Sequence, residues 1–139
     1  MEITFKNTYS NNYISEINFS VNNLVKDEWY PYSLKVMSRD GELLLGIEQT
    51  FSSECLRVFI DKLDRVVDHQ ERCVEFEPLE PSFTLTFNKL NDTLIKLLLV
   101  IDMEFVRNGA ATQTGMGVLI HVDRDDFRTH LEKMKGEID

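Results

Sequence analysis

The hydrophobic residues of this chain follow two periods. Between Phe51 and His69, Leu56, Phe59, Ile60, Leu63, Val66 and Val67 recur at steps of three and four. That spacing gathers them on one stripe of an amphipathic helix of about five turns. Arg57, Asp61, Lys62, Asp64, Arg65 and Asp68 fill the opposite side. Elsewhere the period is two. Ile3 and Phe5; Ile17, Phe19 and Val21; Leu34 and Val36; Leu43, Leu45 and Ile47; Val74 and Phe76; Phe83, Leu85 and Phe87 each alternate with polar neighbours. A long run from Thr93 to Phe105 and a last one through Met116, Val118, Ile120 and Val122 do the same. Each reads as a strand with one buried face. One helical face seeks water and the other seeks a sheet. The pattern predicts the α+β class: an antiparallel β-sheet, a long helix after the first set of strands, and a second, C-terminal helix packed on it.

Turn chemistry falls between these runs. Asn7 to Asn12 is rich in Asn and Ser, Arg39-Asp40-Gly41 supplies the left-handed positions of a tight hairpin, and Pro78 and Pro81 punctuate the chain after the long helix. Asn88 to Asp92 and the stretch around Asn108-Gly109 read as further connections. Ser52 or Ser53 is placed to accept from the first free amides of the long helix, with Glu54 on its dipole. Asp123, Asp125 and Asp126 open the closing helix, whose Phe127, Leu131 and Met134 keep helical spacing and whose Lys133 and Lys135 sit near its end. No repeat has a fixed period, but two sheet-then-helix halves follow one another, as a worn duplication would. Leu98 and Val100 break the alternation of the long strand. They predict a central strand or a second apolar surface, which a homo-oligomer would bury.

With 139 residues, 42% of them hydrophobic, the chain fits a single domain over 1–139 that fills its core unaided. No basic leader with an apolar stretch opens it, and the longest apolar run, Leu97 to Ile101, is far below the roughly 20 residues of a membrane helix. A cytoplasmic protein is expected. Cys55 and Cys73 fall near opposite ends of the helix, on the order of 20 Å apart, too far for a disulfide. The formal charge of −9, with a pI near 4.8, repels nucleic acid and anionic membrane and attracts a basic protein.

Candidate chemistry is sparse. His69, His121 and His130 lack the spacing of zinc ligands. Asp123-Arg124-Asp125-Asp126 opens like a calcium loop, but Phe127 and Arg128 stand where a ligand and the glycine belong. Cys55 has no supporting motif, and Gly115-Met116-Gly117 does not continue into a phosphate loop. No catalytic residue, metal or cofactor is predicted. An alternative reading pairs Asp102 and Glu104 with His121 across a hairpin, as in a small-ligand binder or a hydrolase-like enzyme. The surface reading is broader: Glu75, Glu77 and Glu80, with Asp61 and Asp64 of the helix, make an acidic patch beside Trp29 and Tyr32. Acids speed encounter with a basic partner and aromatics anchor it.

The run WYPYSLKVMSRDGELLLGIEQTFSSECLRVFIDKLDRV from Trp29, the strands through FTLTFNKLNDTLIKLLLVID and the segment GMGVLIHVDRDDFRTHLEKM resemble the WapI-type immunity proteins of bacterial contact-dependent toxin systems. The likeness covers roughly residues 29 to 136, and residues 1 to 28 have no counterpart in it. It implies an α+β fold and a non-enzymatic protein that binds and neutralises a partner toxin domain, or else one of the relatives with no demonstrated toxin; a monomer or homodimer is expected. It brings no catalytic residues.

Overall fold

Every segment with a period of two becomes a strand, and the order of elements repeats once. The computed structural model describes residues 1–9, 13–22, 29–68, 71–78, 83–102 and 115–137. Strands β1 (Glu2–Lys6), β2 (Ile14–Val21), β3 (Trp29–Ser38) and β4 (Leu43–Ser52) lead into helix α1 (Ser53–Asp68). Strands β5 (Cys73–Phe76), β6 (Phe83–Lys89), β7 (Leu94–Asp102) and β8 (Gly115–Asp123) lead into helix α2 (Arg124–Gly136). The α+β class and both helices are as expected. The strands, however, divide into two four-stranded antiparallel meanders, β1-β2-β3-β4 and β5-β6-β7-β8. The long α1 stands between β4 and β5, so these two are not joined as a hairpin. Residues 103–105 of the expected long strand, and His69 at the end of the expected helix, lie outside the described residues.

Local chemistry fixes the joints. Gly41 turns the β3–β4 hairpin at φ 82°, where a side chain would be strained. The Ser38 hydroxyl accepts from the Glu42 amide of the same turn at 3.1 Å. Ser52 Oγ accepts from the Cys55 amide at 3.1 Å and starts α1, and Asp123 accepts from the Asp126 amide at 3.0 Å and starts α2. At the β6–β7 turn, Asn91 Oδ1 accepts from the amides of Thr93 and Leu94.

The core is aromatic and is shared between the halves. Phe59 of α1 packs 4.7 Å from Phe19 of β2 and 4.7 Å from Phe76 of β5. Phe127 of α2 packs 5.2 Å from Phe5 of β1. Each helix thus lies against the first strand of the opposite half. Phe83 of β6 reaches Phe19 and Tyr32, which closes the two sheets over one core. Ion pairs and hydrogen bonds fasten helix to helix: Lys135 to Asp64 at 2.9 Å, Arg128 to Asp68 at 3.4 Å, and the Arg124 guanidinium donating twice to the Val67 carbonyl. That carbonyl belongs to the last turn of α1, where a cation is favoured. Among the described residues no buried side-chain polar atom lacks a partner.

Phe59→Ala opens a cavity under both sheets and is expected to cost about 3–5 kcal/mol in urea unfolding, whereas Val58→Ser, on the exposed side of the same helix, should stay within about 0.5 kcal/mol. The hydrogen bond that the Lys135 ammonium donates to Asp64 holds it above its ordinary 10.5, partly opposed by burial and helped by the charges of Asp64, Glu132 and Asp68. A raised lysine pKa stabilises the fold fully below 10.5 and loses that contribution as pH rises through the folded value. Because the side chain is 37% exposed, the bridge is worth at most about 1 kcal/mol. The stability gap between the parent and Lys135→Met should therefore close as the pH is taken above 10.5.

Candidate partner-binding seam

The two meanders meet along two flanks, and the flanks differ. On one, the chain after β1 is fastened to β8. The Thr8 amide donates to the His121 carbonyl at 2.7 Å, the His121 amide donates to Asn7 Oδ1 at 3.2 Å, and the Tyr9 ring meets the His121 ring edge-on at 4.8 Å. On the other flank β4 and β5 do not pair. The first turns of α1 stand between them, with a hollow on each side.

One hollow, of about 130 Å³, lies among Trp29, Gln49, Phe51, Cys55 and Pro78, with Tyr32 also in its lining. The other, of about 220 Å³, lies among Glu54, Cys55, Val58, Phe76 and Glu77. Cys55 lines both, so together they make a groove around the start of α1. Trp29 is paired opposite Ser52 at the end of the β3–β4 ladder, and among the described residues no further strand covers its indole. It is 56% exposed, and Val58 is 44% exposed. Two apolar side chains therefore stand in solvent beside the groove.

The sequence-predicted acids fall on two sides of α1. On the side facing α2, Asp64 is bound to Lys135 and Asp68 to Arg128; Asp61, exposed and away from α2, bridges to Arg65 along the helix at 3.0 Å. On the side facing β5, Lys62 Nζ donates to the Glu75 main-chain carbonyl at 2.6 Å, which ties helix to strand and leaves the Glu75 carboxylate out of that bond. Glu54, Glu75 and Glu77 are exposed and make no ion pair with any described residue. Glu54 and Glu77 line the second hollow and form its rim, and Glu75 is exposed on the neighbouring strand β5. Tyr32, in contrast, is buried, stacked 4.1 Å from Phe51 and 5.3 Å from Phe19. Its ring belongs to the core beneath Trp29. Glu80 lies outside the described residues.

The alternative constellation is not brought together. His121 is opposite Lys96 in the β7–β8 ladder, and Asp102 is opposite Gly115. From Lys96 to Asp102 is about 20 Å of extended strand. Glu104 lies outside the described residues. Leu98 and Val100 face outward beside Leu119 and Gly117, half-buried on the outer face of the second sheet. Asp64, Asp68 and Glu132 approach within 4.8 Å of one another, the one grouping of metal-ligand type among the described residues. Lys135 reaches two of these acids and Arg128 the third, so cationic side chains already balance the cluster.

Two groove residues were not singled out in the sequence. Val58 carries a signal, because it is an apolar residue on the polar side of the α1 stripe. Glu54 reads in sequence as a helix-dipole partner only, and its place on the rim depends on where β5 packs. Compared with models of known protein families, with characterised proteins and with solved structures, the chain finds no match.

Proposed function

We propose that this chain is a non-enzymatic, immunity-type protein that binds and neutralises a basic toxin domain in the cytoplasm, using the groove around the start of α1. The observation that carries the reading is that Glu54, Glu75 and Glu77 are exposed with no ion pair to any described residue, Glu54 and Glu77 lying beside the exposed Val58 and the exposed Trp29 lining the adjoining hollow. Solvated carboxylates cost the free protein little. Against a cationic partner they draw the encounter, as does the formal charge of −9. Trp29 then supplies a rigid aromatic anchor at little conformational cost. A toxin whose basic surface handles an anionic substrate loses access to it when that surface is covered by acids. Neutralisation in this reading needs occupancy and no chemistry.

The tagged chain is tested as bait against the products of neighbouring genes in its own genome, and any basic partner is co-expressed with it in a growth assay. Rescue of growth is expected. Glu54→Lys combined with Glu77→Lys should lower the affinity at low salt by about tenfold or more with the circular dichroism unchanged, and raising the salt should weaken the parent complex. Trp29 is the only tryptophan, so its fluorescence should become less accessible to acrylamide in the complex. An affinity untouched by both reversals and by salt would sink the proposal.

A further inference from the structure

β4 is ten residues long and paired along one edge only. β3 takes that edge from Trp29↔Ser52 to Met37↔Leu43. Among the described residues no strand takes the other. A free edge offers a ladder of amide donors and carbonyl acceptors, and folded proteins guard such edges with shortness, lysine, proline or cover. The other outer strands here are guarded. The Thr8 amide fastens the chain after β1 to β8, and β5 is four residues long with Lys62 bound to its Glu75 carbonyl. β4, LLLGIEQTFS, has no lysine, arginine or proline. Leu43 is 56% and Leu44 41% exposed, and Gly46, Glu48 and Thr50 are exposed after them.

Charge selects what would fit. Glu48 is the only charge on β4, and Glu42 and Glu54 stand just beyond its two ends. A second copy would bring the same acids and another −9 against this edge. We infer that the free edge of β4 accepts an extended, cationic segment of the protein partner as an added strand of the first sheet. The inference rests on the binding reading above and says how the partner is held. Ile47 and Phe51 face the core and Leu44, Glu48 and Thr50 face out, so the incoming strand sets apolar residues on the inner side and lysine or arginine on the outer. Main-chain bonds hold it, and the alternation selects it.

The probe is a synthetic peptide of about eight residues that alternates valine with lysine, with a control N-methylated at every amide, which blocks both edges. Amide hydrogen exchange of the intact chain is followed by NMR. Alternate amides between Leu43 and Gln49 should slow by about tenfold or more on binding, the N-methylated control should fail to bind, and Glu48→Lys should weaken the peptide. Equal binding of the control, or no protection at β4, overturns the inference. Protection that grows with protein concentration and without peptide assigns the edge to a second copy and overturns it too. With the captured partner, unprotected β4 despite loss of binding in the Glu54→Lys and Glu77→Lys variant defeats strand addition alone. Protected β4 with indifference to those reversals defeats the seam reading alone.

Discussion

The fold depends on an exchange: each helix buries its apolar stripe against the first strand of the other half. Phe59 meets Phe76, and Phe127 meets Phe5. A four-stranded meander has one apolar face and needs a cover. If α1 covered only its own meander, the halves would be joined by the sheet-to-sheet contacts of Phe83, the β1–β8 flank and α2 alone. Crossed over, the helices make one core of two sheets, and the Arg124 and Lys135 contacts between α1 and α2 follow from their adjacency. Neither half keeps a complete core if the other is removed.

That exchange also produces the groove. α1 has two flanks with different neighbours. The flank beside α2 meets Lys135 and Arg128, which neutralise Asp64 and Asp68. The flank beside β5 meets a short strand whose outward residues include Glu75. Lys62 is there, but it is spent on a main-chain carbonyl. Acids that look alike in the sequence therefore differ in what they can still bind. Those beside β5 are open to a partner and those beside α2 are committed to the fold.

Much of this was legible in the chain. The α1 stripe, the Asp-Gly hairpin, the serine and aspartate caps and the strand faces are local, and local periodicity specifies which side of an element is buried. What buries it is not local. Alternation in Val74 and Phe76 marks a face but does not say that Phe76 meets Phe59 across a change of sheet. The same limit separates Trp29 from Tyr32: both are aromatics of β3, but they lie on opposite parities, and parity relative to the core is known only once the neighbouring sheet is placed. Asp64 and Asp61 likewise sit three residues apart on one helix, yet only Asp64 faces α2. Val58 was the available clue to the groove, an apolar residue out of phase with its helix.

The groove and the free edge are one continuous feature. The last residues of β4, from Gln49 to Ser52, line the hollow beneath Trp29, and Ser52 then caps α1. A chain segment laid along β4 toward its C-terminal end therefore runs into the groove, where Glu54 follows the cap. Main-chain bonding along an edge discriminates poorly between sequences, whereas a few charges and one aromatic anchor discriminate well but hold little length of chain. Placed end to end, the two compensate for each other: the edge supplies extent and the groove supplies choice. A partner that offered only a basic patch would use the groove, and one that offered only an extended strand would use β4. A cationic strand that ends in a basic surface would engage both features together.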